Sequence, residues 1–188
     1  MDGLLLALIG TFVAGFAERP AGHYAALATL ATRQRTGLRV AWIAIAAVNA
    51  AVAVAIGLWF NAMLAPRPRA LLLGLALLLA AAGMLIPPRS TSVGAEDAGK
   101  PLRTLFTRAA PAMFGDKGQF ILLAAAAWSA HPVGAAIGGI VGVAMAGEAR
   151  VLLEGQTAQR LRLLRAIAAV PLLVAGTIVS WAALGLLG

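Results

Sequence analysis

The stretch FGDKGQF, Phe114 to Phe120, places an aspartate and a lysine side by side within an otherwise apolar segment. Of the 188 residues, 61% are hydrophobic and 12% are charged, and the mean hydropathy is +0.90. Soluble domains carry about twice that charged fraction, and an apolar run of about 18 residues can cross a bilayer. The composition therefore predicts an all-α polytopic membrane protein, with the two charges of FGDKGQF inside it.

Six apolar segments are expected to cross the membrane, at about residues 3–32, 38–63, 70–86, 105–129, 132–146 and 166–187. The first is too long for one straight span, and proline lacks the backbone N–H that a helix interior needs. A break is therefore predicted near Glu18 to Gly22, around Pro20. A basic linker is predicted at 147–165, with Glu148 and its charged neighbours in contact with water.

Basic residues predict the orientation of the spans. Eleven lie in the three connections that share one face, and two lie on the opposite face. The eleven are Arg33, Arg35, Arg39, Arg89, Lys100, Arg103, Arg108, Arg150, Arg160, Arg162 and Arg165, and the two are Arg67 and Arg69. By the positive-inside rule the eleven face the cytoplasm, so both termini are expected outside. A bacterial inner membrane is the expected location, with lipid as a partner and no nucleic-acid partner.

Two charged stretches align as an internal repeat. FAERPA at 16–21 matches FGDKGQ at 114–119, and each lies midway along the first long segment of its half. Each half holds three spans, an odd number, so the halves must have opposite orientations. We therefore predict two inverted three-helix repeats, 1–88 and 104–188, joined by a cytoplasmic linker at 89–103. Transporters built this way bind substrate near the midplane, where broken helices meet.

Four charged residues of these stretches are costly inside a bilayer, at roughly 2.5–3.5 kcal/mol each on insertion scales. They are Glu18, Arg19, Asp116 and Lys117. A structural role would be two salt bridges between the repeats, Glu18 with Lys117 and Asp116 with Arg19. A functional role would be an ion or proton pathway, because carboxylates bind Mn²⁺ or Ca²⁺ and buried carboxylates can take up protons.

The stretch GDKGQFILLAAAA, at 115–127, resembles the signature of the Gdt-type small six-helix exchangers, which belong to the wider lysine-exporter superfamily. The resemblance implies a secondary transporter that exports Mn²⁺ or Ca²⁺ in exchange for protons, with Glu18 and Asp116 as ion ligands. Gly15 and Met113 stand where the family carries its other acids. The positions expected to support the transport site are Arg19, Lys117, Gln119, His23 and Asn49.

Two alternatives to cation exchange stay open: a transporter of the same fold for another small solute, and a membrane protein that does not transport. No nucleophile–base pair is visible, so neither an enzyme nor a resident cofactor is expected. The small residues of GAAIGG, at 134–139, predict close helix packing, and Asn49 and Asn61 predict interhelical hydrogen bonds. The four tryptophans, Trp42 among them, are expected as interfacial anchors.

Overall fold

The computed structural model describes residues 2–16, 18–86, 97, 99–156 and 158–186, and these residues form helices and no strand. A 3-10 turn, Thr32–Gln34, precedes the third helix, and a π-helical segment, Leu105–Ala109, joins the fifth to the sixth. The predicted all-α class is confirmed. The helices are α1 (Asp2–Phe16), α2 (Arg19–Leu30), α3 (Arg35–Met63), α4 (Pro66–Leu85), α5 (Pro101–Thr104), α6 (Ala110–Met113), α7 (Lys117–Trp128), α8 (Pro132–Leu152) and α9 (Ala158–Leu184).

Within the described part of the chain, four helices are long and apolar enough to cross a membrane: α3 with its 3-10 turn, α4, α8 and α9. The pair α1 and α2, bent by 68° at the break between them, passes the same test as one unit. Length and composition thus indicate an integral membrane protein with four or five spanning units. The segment predicted as the fourth span is divided into the π-helical segment, α6 and α7, and none of these is long enough to cross alone.

The two predicted linkers have different outcomes. Most of the linker predicted at 89–103 lies outside the described residues. The basic linker predicted at 147–165 is wrong, because α8 continues to Leu152 and α9 begins at Ala158. Arginine and leucine are both good helix formers, so basic residues alone do not mark a loop. Arg165, predicted in that linker, is instead buried in the bundle, with 6% of its surface exposed.

A glycine stripe brings α1 and α8 into close contact. Gly134 and Gly138 of α8 face Leu4, and Gly142 faces Leu8 of α1, so the two helices run in the same direction. A Cβ atom on Gly138 would collide with the backbone of Leu4, so only glycine allows this approach. The packing role predicted for the small residues of GAAIGG is confirmed.

The central helix of the bundle is α7, whose alanines Ala124 to Ala127 are fully buried. It packs against α1, α3 and α4, while α4 also lies along α9. Asn61 of α3 donates from Nδ2 to the carbonyl of Ala127 at 2.6 Å, which confirms its predicted interhelical bond. Asn49 is buried, but its Oδ1 accepts no hydrogen bond. At the N-terminus of α7, Lys117 is partly buried and lies beside Gly83 of α4.

Trp42 is not an interfacial anchor. Its side chain is 2% exposed and stacks on Tyr24, with 4.9 Å between the ring centroids. Its Nε1 donates to the carbonyl of Val143 in α8 at 3.2 Å. The prediction is wrong because α3 begins at Arg35, which places Trp42 about two turns inside the helix rather than at its end.

Candidate functional site

The two charged stretches make matching backbone hydrogen bonds at their acidic residues. In the first break, the N–H of Glu18 donates to the carbonyl of Gly15 at 3.1 Å, and the N–H four residues later donates to Glu18 at 3.4 Å. In the second, Asp116 donates to Met113 at 3.4 Å, and the N–H four residues later donates to Asp116 at 3.2 Å. Both acids are extended N-cap residues, with φ and ψ of −88° and 159° for Glu18 and −75° and 170° for Asp116.

Different residues produce the two breaks. Pro20 lies in the first turn of α2, where its missing N–H costs nothing and its fixed φ suits a helix start. Gly115 has a φ of +81°, a left-handed conformation that glycine adopts without strain. The backbone N–H of Gln119 donates to Oδ1 of Asp116 at 2.7 Å, and the Gln119 side chain accepts from the N–H of Gly115. This reciprocal pattern resembles a capping box, so Asp116 and Gln119 also have a structural role.

A cavity of about 420 Å³ lies where the two breaks face α4 and α9. The first break contributes Glu18 and Arg19 to its lining, and the second contributes Asp116 and Lys117. The structure thus brings together the four charged residues that the sequence singles out. Arg165 from α9 is a fifth charged lining residue, which gives three basic and two acidic side chains and a formal net charge of +1.

The ion pair between Glu18 and Lys117 joins the two breaks. Nζ of Lys117 lies 2.8 Å from Oε1 of Glu18, and the two side chains are 29% and 13% exposed, respectively. The contact has ion-pair distance without hydrogen-bond geometry, so Oε1 accepts no hydrogen bond. Of the two predicted bridges this one forms, whereas no ion pair joins Asp116 to Arg19 among the described residues. The reason is local, because the Asp116 carboxylate caps α7 and Arg19 is exposed.

Arg165 is the residue of the cavity that the sequence prediction misses. Its Nη2 donates to the carbonyl of Ile86 at 2.9 Å, its Nε has no partner, and no described carboxylate lies within ion-pair distance. A signal for its burial does exist in the sequence. Arg165, Ala169 and Leu172 are all buried and follow one another at helical spacing, so Arg165 belongs to the inward face of α9.

Three predicted supporting residues do not line the cavity. The ring of His23 lies 3.1 Å from the carbonyl of Arg19, one turn earlier in the same helix. Asn49 is buried within α3, and Gln119 is engaged at the start of α7. A second, much smaller cavity of about 10 Å³ borders Glu18 and Asp116, and a space of this size is at the lower limit for one water molecule.

A second charged cluster, which we call the clasp, consists of Tyr24, Arg35, Arg39 and Glu148. Oε1 of Glu148 accepts from the Tyr24 hydroxyl at 2.5 Å and from Nε of Arg39 at 2.9 Å. Oε2 accepts from Nη2 of Arg39 at 2.8 Å, and Nη2 of Arg35 lies 3.8 Å away. The Glu148 side chain is 37% exposed, which agrees with its predicted contact with water. The prediction misses these partners, because they lie on α2 and α3, far away in sequence.

The chain matches no protein-family model, no curated protein and no solved structure. The resemblance to the Gdt-type exchangers therefore stays a prediction. Among the described residues, no group of three or more His, Cys, Asp or Glu side chains could hold a metal ion. The role of Glu18 and Asp116 as ligands of a transported cation also stays a prediction.

Proposed function

We propose that the chain is a secondary transporter that carries a small charged solute through the cavity between its helix breaks. The observation that carries the proposal is the pair of matching breaks, whose charged residues line one cavity within apolar helices. Ionisable side chains inside a membrane are costly and mark solute or ion pathways. Broken helices that meet near the midplane form the substrate sites of many secondary transporters.

An inverted repeat accounts for the order and the packing of the helices. The first half has a broken helix, α1 with α2, followed by two long helices, and the second half repeats that order. The α2 helix packs against α8, while its counterpart α7 packs against α3, the counterpart of α8. A two-fold axis between the halves would produce this reciprocal pairing. The proposed topology has six crossings, two of them broken, with both termini outside as the basic residues predict.

The charges of the cavity favour a solute other than a divalent cation. Its three basic side chains outnumber its two acidic ones. Both acids are also engaged, Glu18 with Lys117 and Asp116 with the first turn of α7. Since Ca²⁺ takes about six to eight oxygen ligands, most of its ligands would have to come from water and backbone carbonyls.

Export of Mn²⁺ or Ca²⁺ in exchange for protons is the second candidate function. It is favoured by the small cavity of about 10 Å³, which both Glu18 and Asp116 border. A cation bound there would separate Lys117 from Glu18, and protonation of the acids would release it. In this mechanism the two carboxylates carry the exchange, and the basic residues balance the charge of the empty site.

Flux measurements in proteoliposomes test both candidates. The purified protein is reconstituted, and uptake of Mn²⁺, Ca²⁺, amino acids and organic anions is followed with and without a pH gradient. We expect saturable flux of one solute, reduced by Glu18→Gln and unchanged by Arg67→Gln, which lies away from the cavity. The absence of saturable flux for the whole panel would contradict transport.

The variant Asp116→Asn separates the two candidates. Asparagine caps a helix as well as aspartate does, so this change removes the charge and keeps the N-cap of α7. Cation–proton exchange requires the carboxylate, and the variant should abolish it. Transport of another solute should survive with altered affinity.

A further inference from the structure

We infer that the large cavity binds a small organic monocarboxylate, and that Arg165 is the residue that selects its charge. The inference rests on the proposed transport function, because it takes the cavity to be the site where the transported solute binds. It adds the chemical class of the solute and a residue that recognises it. Three features of the cavity carry it: the bonding of Arg165, the balance of charge, and the nature of the remaining walls.

The bonding of Arg165 favours an anionic ligand. Its side chain is buried and, within the described part of the chain, it has one bond to the carbonyl of Ile86 and no partner for Nε. A buried polar group without a partner is costly, and a guanidinium is matched by a planar carboxylate that accepts two parallel hydrogen bonds. Glu18 lines the same cavity but is paired with Lys117. A carboxylate on the solute would satisfy Arg165 directly.

The charge balance of the cavity favours a single negative charge. The lining residues carry a formal net charge of +1, so one monoanion neutralises them. A divalent cation would raise the total to +3, which is strongly unfavourable where the dielectric constant is low. The N-terminus of α2, where the Glu18 side chain forms no cap, adds the positive end of a helix dipole. A zwitterion would leave the excess positive charge uncompensated.

A third cavity provides a basic route to Arg165. It measures about 330 Å³, and its lining comprises Arg162, Arg165 and the apolar residues Met84, Leu85 and Ala166. Arg165 borders both cavities, and Arg162 lies one turn before it on α9. Clefts lined by one sign of charge raise the local concentration of the opposite ion. An anion would therefore meet Arg162 first and Arg165 next.

The remaining walls of the large cavity are apolar and suit a short hydrocarbon tail. Binding pockets for small molecules combine apolar walls with a few placed polar groups. At about 420 Å³, the cavity exceeds what a carboxylate group alone would fill. The uncharged lining residues are Pro20, Gly83, Ile86, Ala112, Phe114 and Gly115.

Calorimetric titration of the protein in nanodiscs with butyrate and butyramide tests the inference. The two ligands have nearly the same shape, and butyramide is uncharged. We expect saturable butyrate binding and affinity for butyramide about ten- to a hundredfold lower, because a charge-assisted hydrogen bond contributes that much. Acetate and hexanoate, with their amides, then report the length of tail that the cavity accepts. Empty nanodiscs measure partitioning into lipid.

Variants assign the effect to Arg165. Arg165→Gln should weaken butyrate binding about tenfold or more, and Arg165→Lys should give an intermediate affinity, since lysine keeps the charge and loses the planar fork. The matched control is Arg69→Gln, because Arg69 also donates to a carbonyl, that of Leu64 at 2.7 Å, and does not line the cavity. Its affinity for butyrate should equal that of the wild type.

Equal affinities for butyrate and butyramide in the wild type, or no butyrate binding at all, overturn the inference. This comparison needs no variant, so it holds whether or not Arg165→Gln folds. Unchanged butyrate affinity in folded Arg165→Gln also overturns it. The transport function is tested separately, with butanesulfonate. If butanesulfonate binds in an Arg165-dependent way but does not enter proteoliposomes, the anion site is supported and the transport function is contradicted. Butanesulfonate suits this assay because it stays ionised and does not leak through lipid.

Discussion

The clasp and the cavity both gather charges where helices meet, but they pair them differently. In the clasp, both oxygens of Glu148 accept hydrogen bonds, from Tyr24 and from Arg39. In the cavity, Arg165 keeps an unpartnered Nε, and Glu18 has a single ionic contact. Among the described residues, Nε of Arg35 in the clasp has no partner either. The two clusters therefore differ in their acids, because protein donors satisfy both oxygens of Glu148, whereas Oε1 of Glu18 accepts no hydrogen bond. Charges in the clasp therefore join helices, and charges in the cavity are available to a solute.

The largest effect on stability is expected in the clasp. Glu148→Ala removes the shared acceptor of Tyr24 and Arg39 and leaves the Tyr24 hydroxyl buried without a partner. We expect the free energy of unfolding to fall by about 2 kcal/mol, measured by denaturation of the purified protein in detergent. Glu154→Ala, an exposed acid just beyond α8, is the control and should have little effect. Equal losses in the two variants would contradict a structural role for the clasp.

Trp42→Phe weakens the aromatic support of the clasp. Phenylalanine can still stack on Tyr24, but it cannot donate the hydrogen bond that Nε1 of Trp42 gives to Val143. The expected loss is about 1 kcal/mol, the usual value for one buried hydrogen bond, in the same denaturation assay. Trp59→Phe, at an exposed position, serves as the control. A larger loss at the exposed site would show that burial does not decide the effect.

Asp116 belongs to the cavity, but its bond to Gln119 gives it a structural effect of similar size. Asp116→Ala removes the N-cap of α7 and should cost about 1 kcal/mol, whereas Asp116→Asn should be close to neutral. Comparing the two variants by thermal denaturation separates capping from charge. If Asp116→Asn is as destabilising as Asp116→Ala, the negative charge rather than the cap stabilises the fold.

The smallest effect is expected at Arg165. Arg165→Met replaces an incompletely paired buried charge by an apolar side chain of similar length, and such replacements are often neutral or stabilising. We expect stability within about 0.5 kcal/mol of the wild type, together with the loss of butyrate binding. A loss of stability as large as that of Glu148→Ala would show that Arg165 stabilises the fold, and would contradict the difference proposed between the cavity and the clasp.

Local chemistry made the helix breaks predictable from the sequence. Pro20 and the alignment of FAERPA with FGDKGQ indicate the breaks, although the first lies between Phe16 and Arg19, slightly before the predicted 18–22. The cost of burying charge predicts the pairing of Glu18 with Lys117. These features depend on neighbouring residues or on one repeated pattern. The sequence also predicts the helical class and the close packing of the glycines in α8, because composition and small-residue spacing carry that information.

Long-range contacts explain what the sequence did not reveal. Tyr24 and Glu148 are separated by 124 positions, and no local pattern marks them as partners. Trp42 is misplaced for the same reason, since its burial depends on Val143 of α8. Arg165 is different, because its helical spacing with Ala169 was readable but its charge favoured a loop. At Arg165 the helical spacing predicted burial and the charge predicted a loop, and the packing of α9 in the bundle shows that the side chain is buried.

The contact of α1 with α8 also affects how the protein is made. The α1 helix leaves the ribosome before α2 to α7, yet the glycines that cover it, Gly134 to Gly142, are translated only after all of these helices. Until then α1 lacks its main packing partner, and contacts between distant segments form late. The segments α1 to α4 and α5 to α9 are therefore not independent folding units. If the chain were cut between α4 and α5, each fragment would complete its structure only by association with the other.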